Sequence, residues 1–141
     1  MATVIKIKNL PEGYQSIITN GTHSIVGDEP IKSNGTNLGM SPSELVLSGL
    51  ALCKVATVRY IARQKGWEIG EVKAELSQEV KRSPEGLKTN IKVAMQIEGD
   101  LSSEQKEELL KQANACYIHR QIMAEWEIEH ATDLDPVTAF N

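Results

Sequence analysis

Residues 41–65 constrain the chain most. Ser41-Pro42-Ser43-Glu44-Leu45-Val46-Leu47-Ser48-Gly49-Leu50-Ala51-Leu52-Cys53 opens the one strongly apolar run in an otherwise polar sequence. Ser41 suits a helix N-cap, Pro42 suits the first helical position, and Glu44 stands where a capping-box carboxylate reaches back to the cap amide. Beyond them Leu45, Val46, Leu47, Leu50, Ala51, Leu52, Val55, Ala56, Val58, Ile61 and Ala62 cover most of the circumference, which predicts a long central helix buried on nearly all sides. Ser48, Gly49, Ala51 and Ala56 are small enough to let neighbours approach closely. Ending at Gly66, such a helix spans about 40 Å. A single small domain has difficulty covering that length, so a partner subunit is expected to help.

The chain has 141 residues, enough for one domain over 1–141 with a real core. Lys and Arg total 15 against 19 Asp and Glu, and the net charge of -4 gives no general electrostatic reason to bind nucleic acid or an anionic membrane. The N-terminal residues lack the basic start, apolar block and cleavage site of a signal peptide, so a cytoplasmic location is expected. Lys54, Arg59 and Arg63 interrupt the apolar run short of the ~18 residues a membrane span needs, and no membrane segment is expected. In a reducing compartment two cysteines are not expected to form a structural crosslink. They are either catalytic or redox-active, or two packed thiols.

Before the helix, residues 2–8, 14–19 and 22–26 read as three short strands, with Asn20-Gly21 as a two-residue hairpin turn between the last two. Gly27 to Met40 is a long polar loop, either a binding segment or a mobile connector. After Gly66, Trp67 to Val80 and Leu87 to Ile97 alternate as strands of a long hairpin, turning at Ser83-Pro84-Glu85-Gly86. Ser102 and Gln105 form a second capping box, and Leu109, Leu110, Ala113, Cys116 and Tyr117 share one face of the helix that follows. Glu125-Trp126-Glu127-Ile128-Glu129 alternates as a closing strand, and the final residues read as a tail. The order is βββ-α-ββ-α-β, an α+β layout in one domain.

Phosphate-binding glycine motifs and a G-x-S-x-G elbow are absent. The chemistry left to consider centres on sulfur. Cys53 lies twelve positions beyond Ser41, too far along its helix for that helix's dipole to stabilise a thiolate. Glu44 is half a turn out of phase with Cys53 and roughly 13 Å from it on a straight helix. It is a cap first, and a catalytic carboxylate only where another segment or subunit brings a thiol to it. Cys116 has His119 and Arg120 at i+3 and i+4, either of which would favour its thiolate as a cation. Cys116 with His119 also has the spacing of half a zinc site, which His23, His130 and Cys53 would have to complete; no metal is expected.

These residues resemble the OsmC/Ohr-like family, whose better-studied members are thiol-dependent peroxidases that reduce organic hydroperoxides. The resemblance lies in Asn37-Leu38-Gly39-Met40-Ser41-Pro42-Ser43-Glu44-Leu45 leading to Cys53, in Lys65-Gly66-Trp67, and in Cys116-Tyr117-Ile118-His119-Arg120. Asp28-Glu29-Pro30 is similar to a segment of the OsmC-like branch. The resemblance implies an intertwined homodimer with long central helices packed together and two sites at the interface. It implies Cys53 as the peroxidatic thiol, which becomes a sulfenic acid, and Cys116 as the thiol that resolves it to a disulfide. A dithiol reductant, of lipoyl type in some members, would restore the couple, with no cofactor. Met40, Leu50 and Tyr117 would line an apolar substrate site. The family's peroxidases hold the thiolate with an N-terminal arginine, but this chain has none before Arg59, and His23 and Lys32 are the nearest candidates. The hydroperoxide-resistance branch has its glutamate where Ser43 stands, and Glu44 matches the OsmC-like branch. The alternative function is a non-catalytic module that keeps the fold and binds a small apolar ligand or a partner.

Overall fold

The computed structural model describes residues 2–135. They form two compact units, one built from residues up to Leu45 and from Glu127 onward, the other Val46–Trp126.

In the first unit three short antiparallel strands, β1 (Lys6–Asn9), β2 (Ser16–Thr19) and β3 (Ser24–Gly27), form a meander. The registers run from Lys6↔Thr19 to Asn9↔Ser16 and from Ser16↔Gly27 to Thr19↔Ser24. Each strand is shorter than the alternation suggests. The hairpin turn also falls one residue later than expected: the amide of Asn20 donates to His23 O at 3.2 Å, leaving Gly21 and Thr22 at the centre. Gly21 takes φ 98 there, and the Asn20 side chain accepts from the Thr22 and His23 amides.

The long polar loop is not a loose connector. Asp28 is buried at its start, and its carboxylate accepts from the Thr36 hydroxyl at 2.5 Å and from the amides of Glu29, Leu38, Tyr14 and Thr36. These bonds, the Thr36 hydroxyl foremost, hold its carboxyl well below the usual carboxylate range. Polar residues that resemble linker composition are therefore spent on one buried anion. A single turn of 3-10 helix (Ile31–Ser33) lies within the loop, and Asp28 N donates to Met40 O at 3.1 Å beside a Gly27↔Met40 bridge.

The central helix, α1 (Pro42–Lys65), starts and stops where the sequence specifies. Ser41 and Glu44 complete the capping box, with Glu44 N donating to Ser41 Oγ at 3.3 Å and Ser41 N to Glu44 Oε1 at 3.0 Å. Gly66, at φ 69, ends it in a Schellman arrangement in which Trp67 N donates to Ala62 O and Gly66 N to Arg63 O. Its burial differs from the sequence reading. Within the chain only the i, i+4 stripe Leu50, Lys54, Val58 and Ala62 of α1 is buried. Val46, Leu52 and Tyr60 are 59%, 68% and 58% exposed, because the rest of the chain packs along only one side of the helix. By length and composition alone α1 is long and apolar enough to cross a membrane, contrary to the expectation drawn from Lys54, Arg59 and Arg63, a test that the core helix of a soluble protein also passes.

From Val46 on, α1 belongs to the second unit. There β4 (Val72–Ser83) and β5 (Gly86–Ile97) form a twelve-pair antiparallel hairpin, from Val72↔Ile97 to Ser83↔Gly86. Trp67 to Glu71 stay outside the ladder as a connector, which Arg59 ties to the helix through the Ile69 and Gly70 carbonyls at 3.1 and 2.6 Å. Val72, Ala74, Leu76 and Gln78 share the more buried face, as their alternation predicts. The next helix, α2 (Ser103–Asn114), begins at the Ser102/Gln105 capping box. Leu109 and Ala113 close against Val58 and Ala62, with Trp67, Ile69, Val72, Met95, Ile97 and Leu101 packed around them. Burying side chains such as Leu109 and Val58 stabilises the unit by about 1.5–3 kcal/mol each.

Two expectations fail at the C-terminal end. The helix predicted to carry Cys116 stops at Asn114, and a separate short helix, α3 (Tyr117–Ile122), follows with Cys116 as its N-cap. Residues 125–129 are not a strand: their alternation defines two faces, but no described strand pairs with them, and Trp126 and Ile128 are exposed. The predicted tail falls largely on residues 136–141, outside the described residues. The described order is thus βββ-α-ββ-α-α, an α+β fold with two sheets and three helices.

Candidate functional site

The break between α2 and α3 builds the site. At Ala115 the helical path is lost, and Cys116 takes an extended conformation (φ -62, ψ 155) before Arg120 N donates to Cys116 O and closes the first turn of α3. The first amides of any helix lack intrahelical acceptors. One of them, Ile118 N, donates to Cys53 Sγ at 3.4 Å. Cys53 cannot draw on its own helix dipole, but it receives an amide from the start of α3. That contact could not be read from the position of Cys53 along α1.

Both thiols are free, and they lie near enough for Cys53 to influence the titration of Cys116. Cys53 is half-buried and Cys116 only 1% exposed. Burial is the largest influence on Cys116 and pushes its thiol pKa up, as does Cys53, while the His119 amide and the positive charge of Lys54 act in the opposite direction. The His119 amide does so without forming a cap hydrogen bond to the sulfur.

Lys54 is the residue the sequence reading missed. It is 1% exposed, and its Nζ donates to Ala113 O at 3.0 Å and lies 3.0 Å from His119 Nδ1. An ammonium can only donate, so Nδ1 carries the lone pair in this contact. Burial first and Lys54 second hold the His119 pKa below its ordinary value. His119 therefore serves as an acceptor, and the expectation that it acts as a cation toward Cys116 is corrected. Arg120 does not take that role through its side-chain bonds: Nε donates to Ala115 O at 3.1 Å and the guanidinium lies 5.6 Å over the Tyr117 ring. The positive charge that acts on Cys116 comes from α1, and its phase could have revealed it, since Lys54 falls at i, i+4 between Leu50 and Val58.

A cavity of about 210 Å³ adjoins Lys54 and His119, lined otherwise by Leu50, Thr89, Ile91, Val93, Ile122 and Met123. Leu50 is thus a lining residue. Tyr117 is exposed at the start of α3. Met40 lines another cavity, of about 300 Å³, in the first unit together with Ile7, Tyr14, Ile18 and Leu45. Glu44 caps α1, and its carboxyl is held below the ordinary value by the Ser41 amide first and the Ser41 hydroxyl second. His23 and Lys32 also lie in the first unit. Among the described residues no three His, Cys, Asp or Glu side chains converge as a metal-ligand set.

Fold and site together define an α+β protein with a paired, non-crosslinked dithiol at a helix start. Residues 35–131 match the family model described as OsmC-like protein, and the chain belongs to that family. No curated protein sequence matches it. Among solved structures, it is similar to the OsmC-like protein of Mycoplasma pneumoniae (21% identity, 86% and 87% of the two chains covered, TM-score 0.74). It is also similar to an organic hydroperoxide resistance protein OsmC of Legionella pneumophila (20%, 87% and 90%, TM-score 0.67). A third is the organic hydroperoxide resistance protein OhrB of Bacillus subtilis (16%, 87% and 91%, TM-score 0.64). At these identities the likeness concerns the fold.

Proposed function

We propose that this chain is a thiol-dependent peroxidase, or a closely related thiol-redox protein, that reduces organic hydroperoxides through Cys53 and Cys116. The observation that carries the reading is the pair of free thiols, Cys53 half-buried and held by the Ile118 amide at the start of α3, and Cys116 buried at that helix's N-cap. Membership of the OsmC-like family and the likeness to two organic hydroperoxide resistance proteins support a role in redox stress.

Cys53, the more accessible sulfur, attacks the terminal oxygen of the hydroperoxide as thiolate. The O–O bond breaks, the alkoxide leaves and takes up a proton, and Cys53 becomes a sulfenic acid. Cys116 then attacks Cys53 Sγ, the S–O bond breaks, and water departs with the thiol proton as the disulfide forms. A dithiol reductant, such as a dihydrolipoyl group, exchanges with the disulfide and restores both thiols. Glu44 joins this chemistry only where the partner subunit brings thiols to it; held ionised, it would orient rather than donate a proton.

The reading includes a cytoplasmic homodimer of single-domain chains. The exposed Val46, Leu52 and Tyr60 on α1 support a partner subunit, and a family match that runs across both units supports one domain. The test is consumption of cumene hydroperoxide with a dithiol reductant, together with free-thiol counts in the wild type and in Cys53→Ser. Undiminished thiol loss in Cys53→Ser would rule out Cys53 as the attacking group.

The 210 Å³ cavity favours a second reading, a binding module for a small apolar ligand. A co-purifying ligand with an inert Cys53 would support it, and turnover would exclude it.

A further inference from the structure

The two hydrogen bonds of Lys54 straddle Cys116. Ala113, whose carbonyl accepts one, stands three residues before it, and His119, whose Nδ1 accepts the other, stands three residues after. The lysine is buried, and among the described residues it forms no ion pair with a carboxylate. Burying an ammonium is costly, and two neutral acceptors satisfy its protons without neutralising its charge. The groups that act on Cys116 are Cys53 and Lys54 from α1 and the His119 amide from α3. Of these only the thiols can become anions and so act as the counter-charge of Lys54.

We infer that Lys54 is a positioning residue for the resolving half of the cycle: fixed across the α2–α3 break, its charge lets Cys116 attack oxidised Cys53 as a thiolate. The inference rests on the peroxidase reading for its oxidant, but the effect of Lys54 on Cys116 exists without any peroxide. In the step concerned the Cys116 proton leaves the sulfur, the new S–S bond forms, the S–O bond of the Cys53 sulfenic acid breaks, and the departing hydroxide takes the proton as water. Lys54 keeps its own protons throughout. A lysine that served packing alone would need neither charge nor anchors on both sides of Cys116.

The experiment follows the full-length protein after one equivalent of cumene hydroperoxide, with a dimedone probe to trap Cys53 sulfenic acid in competition with disulfide formation. In the wild type the disulfide dominates. In Lys54→Gln, which keeps a hydrogen-bond donor but no charge, the trapped adduct should rise and disulfide formation should slow by about tenfold, the effect of losing an opposite charge worth about one pKa unit. Lys54→Met should behave alike, and Lys54→Arg should recover most of the rate. Sulfenic acid formation itself should change much less. Wild-type partition in Lys54→Gln would overturn the inference.

A second arm needs no peroxidase activity. In Cys53→Ser chains the pH profile of Cys116 alkylation by iodoacetamide should move upward when Lys54 becomes Gln and return with Arg. An unmoved profile overturns the inference even if the peroxidase reading stands. A wild type inert to hydroperoxide, with a moved profile, overturns that reading and leaves the Lys54 effect established.

Discussion

Leu109→Ala probes the packing that holds the cysteines together, because α2 carries the core and leads directly into Cys116. Leu109 is fully buried against Val58, Ala62 and Ala113. Truncating a buried leucine costs about 2.7 kcal/mol where neighbours collapse into the space and up to about 5 kcal/mol where the cavity persists. Two of the three fully buried neighbours are alanines, which have no rotamers to swing inward, so the expected loss is in the upper half, about 4 kcal/mol. Urea denaturation at fixed protein concentration measures it. Leu110→Ala, next along α2 but 40% exposed, is the control and should cost no more than about 1 kcal/mol. A loss below about 1.5 kcal/mol for Leu109→Ala with an unchanged m-value would refute the packing argument.

Asp28 should give the first unit an acid-sensitive step. Its folded pKa is depressed, so its stabilisation is fully present above the unfolded value of about 4 and is lost as pH falls toward the folded value. Stability measured from pH 6 downward should decline below about pH 4, and Asp28→Asn should flatten that decline while lowering stability at neutral pH. Gly35→Ala should destabilise by about 1–3 kcal/mol, because a Cβ there would lie 1.9 Å from Glu29 O, backbone that cannot swing aside. Thermal melts in which Gly35→Ala matches the wild type would contradict that close approach.

What the sequence made legible was local and well marked. Ser41 with Glu44 and the glycine at 66 specify both ends of α1, and the alternation of Val72 to Gln78 and Leu87 to Ile97 around Ser83–Gly86 specifies the hairpin. Less legible was anything that depends on a tertiary partner. No glycine or proline marks the break at Ala115, and the apolar spacing from Leu109 to Tyr117 runs across it unaltered. Glu125 to Glu129 have a strand's alternation without a strand to pair with. Polar residues between Gly27 and Met40 look like a connector until Asp28 gathers their amides. Lys54 is the sharpest case: lysine is almost never fully buried unpaired, so it reads as an interruption of the apolar run, whereas its helical phase puts it in the buried stripe. Cys53 and Cys116 were singled out by residue type, but their meeting depends on how α1 packs beside α3.

The central claim is that Cys53 and Cys116 form one redox couple within a chain. The most direct measurement is peptide mapping, under non-reducing conditions, after one equivalent of cumene hydroperoxide. A Cys53–Cys116 linked peptide from a single chain is expected, with both free thiols lost together and recovered by a dithiol. Peroxide consumption that leaves Cys116 free, with Cys53 oxidised alone, would contradict it.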